Sequence, residues 1–449
     1  MAEERFLTET KHQRFRPYPK YKDSGVEWLG EIPAHWIVKK IKRLCLVRRG
    51  ASPRPIDDPI YFAEDGEYAW VRIADVTASD RYLEQTTQRL SPLGVSKSVL
   101  LEPGELFVSI AATVGKAIIT KIKCCIHDGF VYFVGLRENR DYLYYLFSCG
   151  EAYKGIGKLG TQLNLNTDTI GDIYLPVPCP EEQSVITTFL DRETAKIDAL
   201  VAKRERLIEL LQEKRTALIT QAVTKGLDPN VPMKDSGIEW LGIIPAHWGV
   251  KRLKYLSSIN DEALSEKTDP RFELIYVDIG SVDQYQGIVE REELVFENAP
   301  SRARRIVKDG DVIISTVRTY LRAIAPIKNP DPNLIVSTGF SVIRPSSALE
   351  DNFAPYALRA SHFVERVVAN SVGVSYPAID ANKISCLSVA IPDIKEQQAI
   401  VSFLEREMTK IDALVTEIRE AIDRLKEYRT ALIAAAATGK IDVRSKVTR

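Results

Sequence analysis

An α+β protein of two similar globular domains separated by two long antiparallel helices is the fold class this sequence predicts, on three observations. The string KDSGVEWLGEIPAHW beginning at Lys22 returns as KDSGIEWLGIIPAHW beginning at Lys234, an offset of 212 residues. EEQSVITTFLDRETAKIDALV from Glu181 is echoed by KEQQAIVSFLEREMTKIDALV from Lys395, and RTALIT at Arg215 by RTALIA at Arg429, both at an offset of 214. The stretch from Glu181 to Thr224 contains neither glycine nor proline, which permits one continuous helix. The near-constant offset makes the chain one pseudo-twofold unit used twice. A period above 200 residues is too long for a solenoid, so each copy is a folding unit in its own right.

At 449 residues the chain is too long for a single hydrophobic core. Its 45% hydrophobic and 27% charged residues are those of a globular protein, which excludes a disordered or fibrous chain. No run of about 18 apolar residues occurs, so no membrane span is expected. The opening MAEERFLTETKHQRFRPYPK lacks the apolar centre of a secretory signal. Cys45, Cys124, Cys125, Cys149, Cys179 and Cys386 show no CxxC spacing and do not recur between the copies. Reduced thiols in a cytoplasmic protein are therefore expected, with neither a disulfide framework nor a zinc site. Formal net charge is zero, which by itself speaks against nucleic acid. The distribution is uneven: residues 1–50 hold 12 Lys+Arg against 6 Asp+Glu, 51–179 hold 12 against 16, and 257–390 hold 14 against 18. A local basic stripe can bind phosphate within a balanced total.

Residues 1–21 read as a basic, proline-containing arm, 22–179 as the first globular domain and 227–390 as the second. Each domain begins with the repeated segment ending Ile-Pro-Ala-His-Trp, at Ile32 to Trp36 and Ile244 to Trp248. Trp28, Trp36, Trp240 and Trp248 place four of the five tryptophans in this element. They either wedge the segment onto its own core or offer platforms on which bases stack. Short strands follow, YAWVRIADV from Tyr68 and ELIYVDIGSV from Glu273, then LEPGELFVSIAATVGKAIIT and IVKDGDVIISTVRTYLRAIA. Pro103-Gly104 and Asp309-Gly310 mark matching turns at an offset of 206, and Gly129-Phe130 matches Gly339-Phe340 at 210. Side chains between these points mostly differ, so a common frame carries a diverged surface. A proline-bounded strand closes each domain, Tyr174 to Pro178 and Ser388 to Pro392. Long helices are expected over 180–226 and 391–442, with a tail at 443–449. Leu190, Ile197, Leu200, Leu207, Leu211 and Leu218 step by three, four and seven, as do Leu404, Ile411, Leu414, Ile418, Leu425 and Leu432. These steps read as a coiled-coil seam, interrupted at Arg204. About 42 residues at 1.5 Å each make a rod of roughly 60 Å. Two such rods, each leading away from a globular domain, are expected to pair antiparallel.

The KDSGxEWLGxIPxHW segment, the xEQxxIxxFL opening and the TKIDALV…RTALI helix resemble specificity (S) subunits of type I restriction–modification systems. The likeness runs from about Lys22 to Asp442. It implies two target-recognition domains, each reading one half of a bipartite, asymmetric site in double-stranded DNA. It also implies that the long helices set the spacer and, with the repeated segments, hold two methyltransferase (M) subunits. S-adenosylmethionine, ATP and Mg are then expected on partner subunits, the methylating M and the translocating restriction (R) subunits, and no cofactor on this chain. Three other readings remain open: a specificity subunit serving a combined restriction–methylation enzyme of the type II kind, an enzyme whose motifs go unrecognised, and a stand-alone DNA-binding or architectural protein. The last gives no reason for repeating the Pro-Ala-His-Trp segment.

No catalytic constellation is legible. The [N/D]PP[Y/F] motif of adenine methyltransferases and the GxxxxGK[ST] loop of translocases are both absent, and Asn329 to Pro332 fits neither. Gly155 to Gly160 matches GxGxxG but lacks the strand before it and the acidic residue after it, and reads as a surface loop. The five histidines show no metal or triad spacing. Candidate DNA contacts are Thr113 and Lys116, with their frame equivalents Thr319, Tyr320 and Arg322 and the preceding Arg318. Arg302, Arg304, Arg305 and Arg72 complete the basic set. Lys and Arg contact phosphates, and Arg can read guanine O6/N7 with two parallel bonds. The alternative is an ordinary solvated hairpin. A small-polar loop that the resemblance places before the closing strand adds Thr161, Gln162 and Asn164, where the second domain has Val374 to Ala378.

Overall fold

The structure, a computed structural model, describes residues 15–154, 158–159, 162–163 and 165–446. It is α+β and divides into two compact units, residues 1–202 with 421–449, and residues 203–420. Each unit combines one globular block with the near end of one long helix and the far end of the other.

In the first unit a five-stranded sheet has the order Leu46–Arg49, Phe130–Val134, Leu106–Ser109, Ala117–Thr120, Tyr82–Leu83. A four-stranded sheet has the order Gln88–Leu90, Tyr68–Val71, Cys124–Ile126, Val99–Leu101. Strands 106–109 and 117–120 are buried throughout, which explains their unbroken apolar runs where alternation would mark a half-exposed strand. Phe107, Ile118, Ile126 and Phe130 join Val71 in one cluster, while Val108 and Val131 point into a second, with Trp36, Leu146, Leu190 and Leu432. The strand expected over YAWVRIADV stops at Val71, and Ile73–Ala78 is a helical turn. The Asp75 carboxylate accepts from the Arg72 backbone N–H (2.9 Å), a local cap that overrides the β propensity of the valines.

The second unit repeats the plan. One sheet has the order Ser257–Ile259, Phe340–Pro345, Val312–Ser315, Ile324–Pro326; the other Glu292–Val295, Glu273–Val277, Leu334–Ser337, Ala303–Ile306. Its two larger clusters match those of the first, one holding Val277, Ile313, Val336 and Phe340, the other Trp248, Leu253, Val312, Ile343 and Leu404.

Each proline-bounded strand pairs with the strand that follows the Pro-Ala-His-Trp segment, Tyr174–Val177 with Ile37–Lys40 and Ser388–Ile391 with Gly249–Arg252. Trp36 and Trp248 are 0% and 1% exposed. They serve as wedges and have no face free for a base. His35 Nε2 lies 2.9 Å from Glu182 Oε2, and His247 Nε2 lies 2.8 Å from Glu396 Oε2, so each segment is clamped to the first turn of a long helix. Trp248 Nε1 also donates to Glu396 Oε2 (2.9 Å). In the first unit the arm and the tail meet: the Asp442 N–H donates to the Arg16 carbonyl (2.7 Å), and the Arg444 guanidinium lies 4.9 Å from the Tyr18 ring centre.

The long helices are Pro180–Lys225 and Ile394–Ala437, of 46 and 44 residues. Left-handed glycines follow both, Gly226 at φ +73° and Gly439 at φ +77°, a conformation that ends a helix at little cost only for glycine. Within each unit the helix segments run antiparallel. Arg429 Nε donates to Asp198 Oδ1 (2.9 Å) in the first, and Arg215 pairs with Asp412 in the second. The seam differs in part from the expected one. Leu200, Leu207 and Leu414 are 48%, 45% and 47% exposed, and the less exposed line passes instead through the half-buried Val201, Ile208 and Val415. Each exposed leucine directly precedes a β-branched apolar residue, so steps of three and four fit the sequence equally. The remaining seam residues, Leu190, Ile197, Leu211, Leu218, Leu404, Ile411, Ile418, Leu425 and Leu432, are buried or half-buried. Among the described residues no helix is long and apolar enough to cross a membrane.

Candidate nucleic-acid interface

Parallel pairing brings two strand ends together in each unit. Tyr68–Val71 lies parallel to Cys124–Ile126, and Glu273–Val277 parallel to Leu334–Ser337, so the residues after each pair emerge on one edge. The loop between the two buried strands of the other sheet comes to the same edge. The Ile110 N–H donates to the Gly129 carbonyl (2.9 Å), and the Thr316 N–H to the Gly339 carbonyl (2.8 Å). These two bonds occupy equivalent positions of the repeat, so 110–116 and 316–322 are the same loop on one frame. Ala112 and Arg318, 206 residues apart, both adopt left-handed backbone, at φ 55° and 50°. Non-glycine residues hold this conformation only where the surroundings impose it, at about 1–3 kcal/mol.

In the first unit Arg72 is exposed at the end of its strand, with Nη2 donating to Thr87 Oγ1 and Nε 3.9 Å from the buried Asp75 carboxylate. Thr113 Oγ1 is 2.7 Å from Thr77 Oγ1, and Lys116 Nζ donates to the Thr77 carbonyl (3.1 Å). Partial burial pulls the Lys116 pKa below that of an ordinary lysine. Thr113 and Lys116 thus hold the loop against the Ile73–Ala78 turn. Thr161 and Asn164 lie outside the described residues, and of Gln162 only its place in the short strand Gln162–Leu163 is described.

In the second unit Arg318, Tyr320 and Arg322 are exposed, whereas Thr319 is buried with its hydroxyl 2.8 Å from Ser371 Oγ. The Arg318 guanidinium lies 5.0 Å from the Tyr376 ring centre, a cation–π contact that aligns it. Tyr376 belongs to the Val374 to Ala378 loop, which Ala378 bridges to Val317. The basic run divides three ways. Arg302 is exposed, Arg304 lies 4.6 Å from the Phe296 ring centre, and Arg305 is half-buried with its pKa lowered by burial.

Sequence reasoning missed a groove in the first unit lined by Asp57, Phe62, Trp70, Arg72, Gln88 and His127. The Gly129 N–H donates to His127 Nδ1 (2.8 Å), which places the proton of the neutral ring on Nε2. A Cβ at Gly129 would sit 2.4 Å from His127 Cε1, so glycine there is a steric requirement. Burial lowers the His127 pKa and keeps the ring neutral. Of this lining only Arg72 stood among the sequence candidates, and the glycine matched between the copies marked the turn beside it. Among the described residues no group of three or more His, Cys, Asp or Glu is placed to hold a metal ion.

The profile of the "Type I restriction modification DNA specificity domain" matches the chain twice, over residues 33–210 and 245–424. The chain is 23% identical over 450 residues to the type I restriction enzyme MjaIX specificity subunit of Methanocaldococcus jannaschii, covering 96% of this chain and 98% of that protein. It is also 23% identical over 313 residues to the MjaVIII specificity subunit of the same organism, covering 68% and 71%. A solved structure described as "Structural basis underlying complex assembly and conformational transition of the type I R-M system" shares the fold. Its TM-score is 0.57 at 17% identity, over 90% of this chain and 98% of that one. With both copies of the repeat matched over most of the sequence, this chain belongs to the type I restriction–modification DNA specificity family.

Proposed function

We propose that each unit reads one half of a bipartite DNA site through its loop edge, 110–116 with 72–77 and 127–129 in the first, and 316–322 with 371–378 in the second. The chain is the DNA-recognition and scaffold subunit of a type I restriction–modification enzyme and is not itself an enzyme. Its long helices set the spacer between half-sites. Two methyltransferase subunits dock on it, one per repeat, and supply S-adenosylmethionine chemistry, with restriction subunits supplying ATP- and Mg-dependent steps. Leu200 and Leu414, equivalent residues of the two copies, are each about half exposed within their own unit and support a docking point used twice. The observation that carries the reading is the duplicated frame, in which edge loops of different composition sit on matching hydrogen bonds.

The purified chain is expected to transfer no methyl group and hydrolyse no ATP, and to direct methylation once M subunits are added, in a complex of two M per chain. Labelling of DNA by the chain alone would overturn this. At the second unit's loop, Arg318→Ala and Arg322→Ala are each expected to weaken specific binding by about 1–3 kcal/mol. Titrations against cognate and scrambled duplexes separate base from phosphate contact. Equal loss on both duplexes, with the salt slope reduced by about one, marks a phosphate contact. No change on either removes these residues from the interface.

A further inference from the structure

The two recognition edges carry opposite hydrogen-bonding chemistry at one frame position. Aligning YAWVRIADV with LIYVDIGSV at an offset of 206 places Arg72 opposite Asp278 and Trp70 opposite Tyr276. The offset of 210 across the neighbouring parallel strand places His127 opposite Ser337. Local bonding supports both equivalences. The Gly129 N–H donates to His127 Nδ1, and the Gly339 N–H donates to Ser337 Oγ (3.3 Å). Arg72 and Asp278 each follow directly on a strand parallel to the one bearing that turn.

In the first unit the position presents donors. Arg72 is held through one Nη2 hydrogen by Thr87 and braced by Asp75, and among the described residues Nη1 makes no hydrogen bond. His127 has Nδ1 engaged, which leaves Nε2–H as a second donor on the same groove. In the second unit the position presents acceptors. Tyr276 Oη donates to Asp278 Oδ1 (3.2 Å), and among the described residues Oδ2 makes no hydrogen bond. Base edges in the major groove differ in this respect: guanine offers two acceptors, O6 and N7, and cytosine an amino donor at N4.

We infer that Arg72 and Asp278 are equivalent specificity-determining positions, Arg72 with His127 selecting a guanine in one half-site and Asp278 selecting a cytosine in the other. This rests on the chain's reading of DNA through the two edges. The repeat holds the backbone in place, and one residue exchange inverts the edge that is accepted.

The test uses the full chain assembled with its M subunits. Methylated motifs are mapped by sequencing, and binding is measured on duplexes permuted at each position. Absence of any defined motif for the wild-type complex would refute DNA recognition itself. With that motif in hand, Arg72→Ala is expected to reduce guanine preference at one position of one half-site by roughly tenfold or more, leaving the other half-site unchanged. Arg72→Lys keeps the charge and the stem but lacks the planar fork, and is expected to retain affinity while losing the same preference. Asp278→Asn is expected to lower preference at one cytosine of the other half-site. Unchanged preference at every position, or a uniform loss on all duplexes with a smaller salt slope, would overturn the assignment. Should Arg72→Ala fail to assemble, Arg72→Met, which keeps the stem and has no donor, decides alone: full retention of guanine preference refutes the role of Arg72.

Discussion

Trp36→Ala is expected to destabilise the first unit by about 3–5 kcal/mol, the range for removing a fully buried tryptophan. That is a large part of the roughly 5–15 kcal/mol that holds a typical domain folded. The indole is wholly buried, lies 5.8 Å from the Tyr18 ring centre and shares a cluster with residues of both long helices. A Cβ at Gly439 would come within 2.9 Å of its ring, which shows how closely the second helix end approaches. Thermal and denaturant unfolding of the full chain should show an early transition in the variant. Because two units need not unfold together, the transitions are to be followed separately by hydrogen exchange over 15–202 with 421–446, and over 203–420. A loss below about 1 kcal/mol would contradict a tightly packed site.

Replacing Leu46 to Gly171 with the matching block of a relative is expected to exchange one half of the methylated motif and leave the other intact. The cut points lie outside the core joining the two sheets, whose members Val71, Phe107, Ile126 and Phe130 all fall inside the block. The strand pair 37–40 with 174–177 remains behind, with the clamp of His35 on Glu182. Each base pair read contributes about 1–3 kcal/mol of discrimination, so a half-site of several pairs shifts preference by orders of magnitude. Sequencing of methylated DNA reads the outcome. A change in both halves would refute the assignment of one half-site to each unit.

The large-scale fold was open to reading because repetition is a sequence-level property. The duplicated Pro-Ala-His-Trp and Glu-Gln motifs fall where the structure clamps strand to helix. The seam was legible in kind and partly misplaced in register, since Leu200-Val201 and Leu414-Val415 offer two adjacent apolar residues and only packing chooses between them. The candidate recognition edges were harder. Lys116 and Thr319 look like surface contacts in the sequence, yet a backbone carbonyl engages the first and Ser371 the second. Asp278 and His127 escaped notice because an acidic residue and a lone histidine carry no motif. Their meaning comes from strand pairing that joins residues over 50 positions apart.

The paired ions of the long helices show how the two copies of the repeat are joined within one chain. Asp198 with Arg429 and Arg215 with Asp412 are the same two repeat positions with their partners exchanged, the pattern of an isologous contact between identical subunits. The protein thus carries the contact of a homodimer inside one polypeptide. Asp198 finds its partner at Arg429, on the other copy of the helix, and not at Arg215 on its own. The ion pairs therefore run crosswise between the two copies of the repeat, each copy supplying the acid of one pair and the arginine of the other.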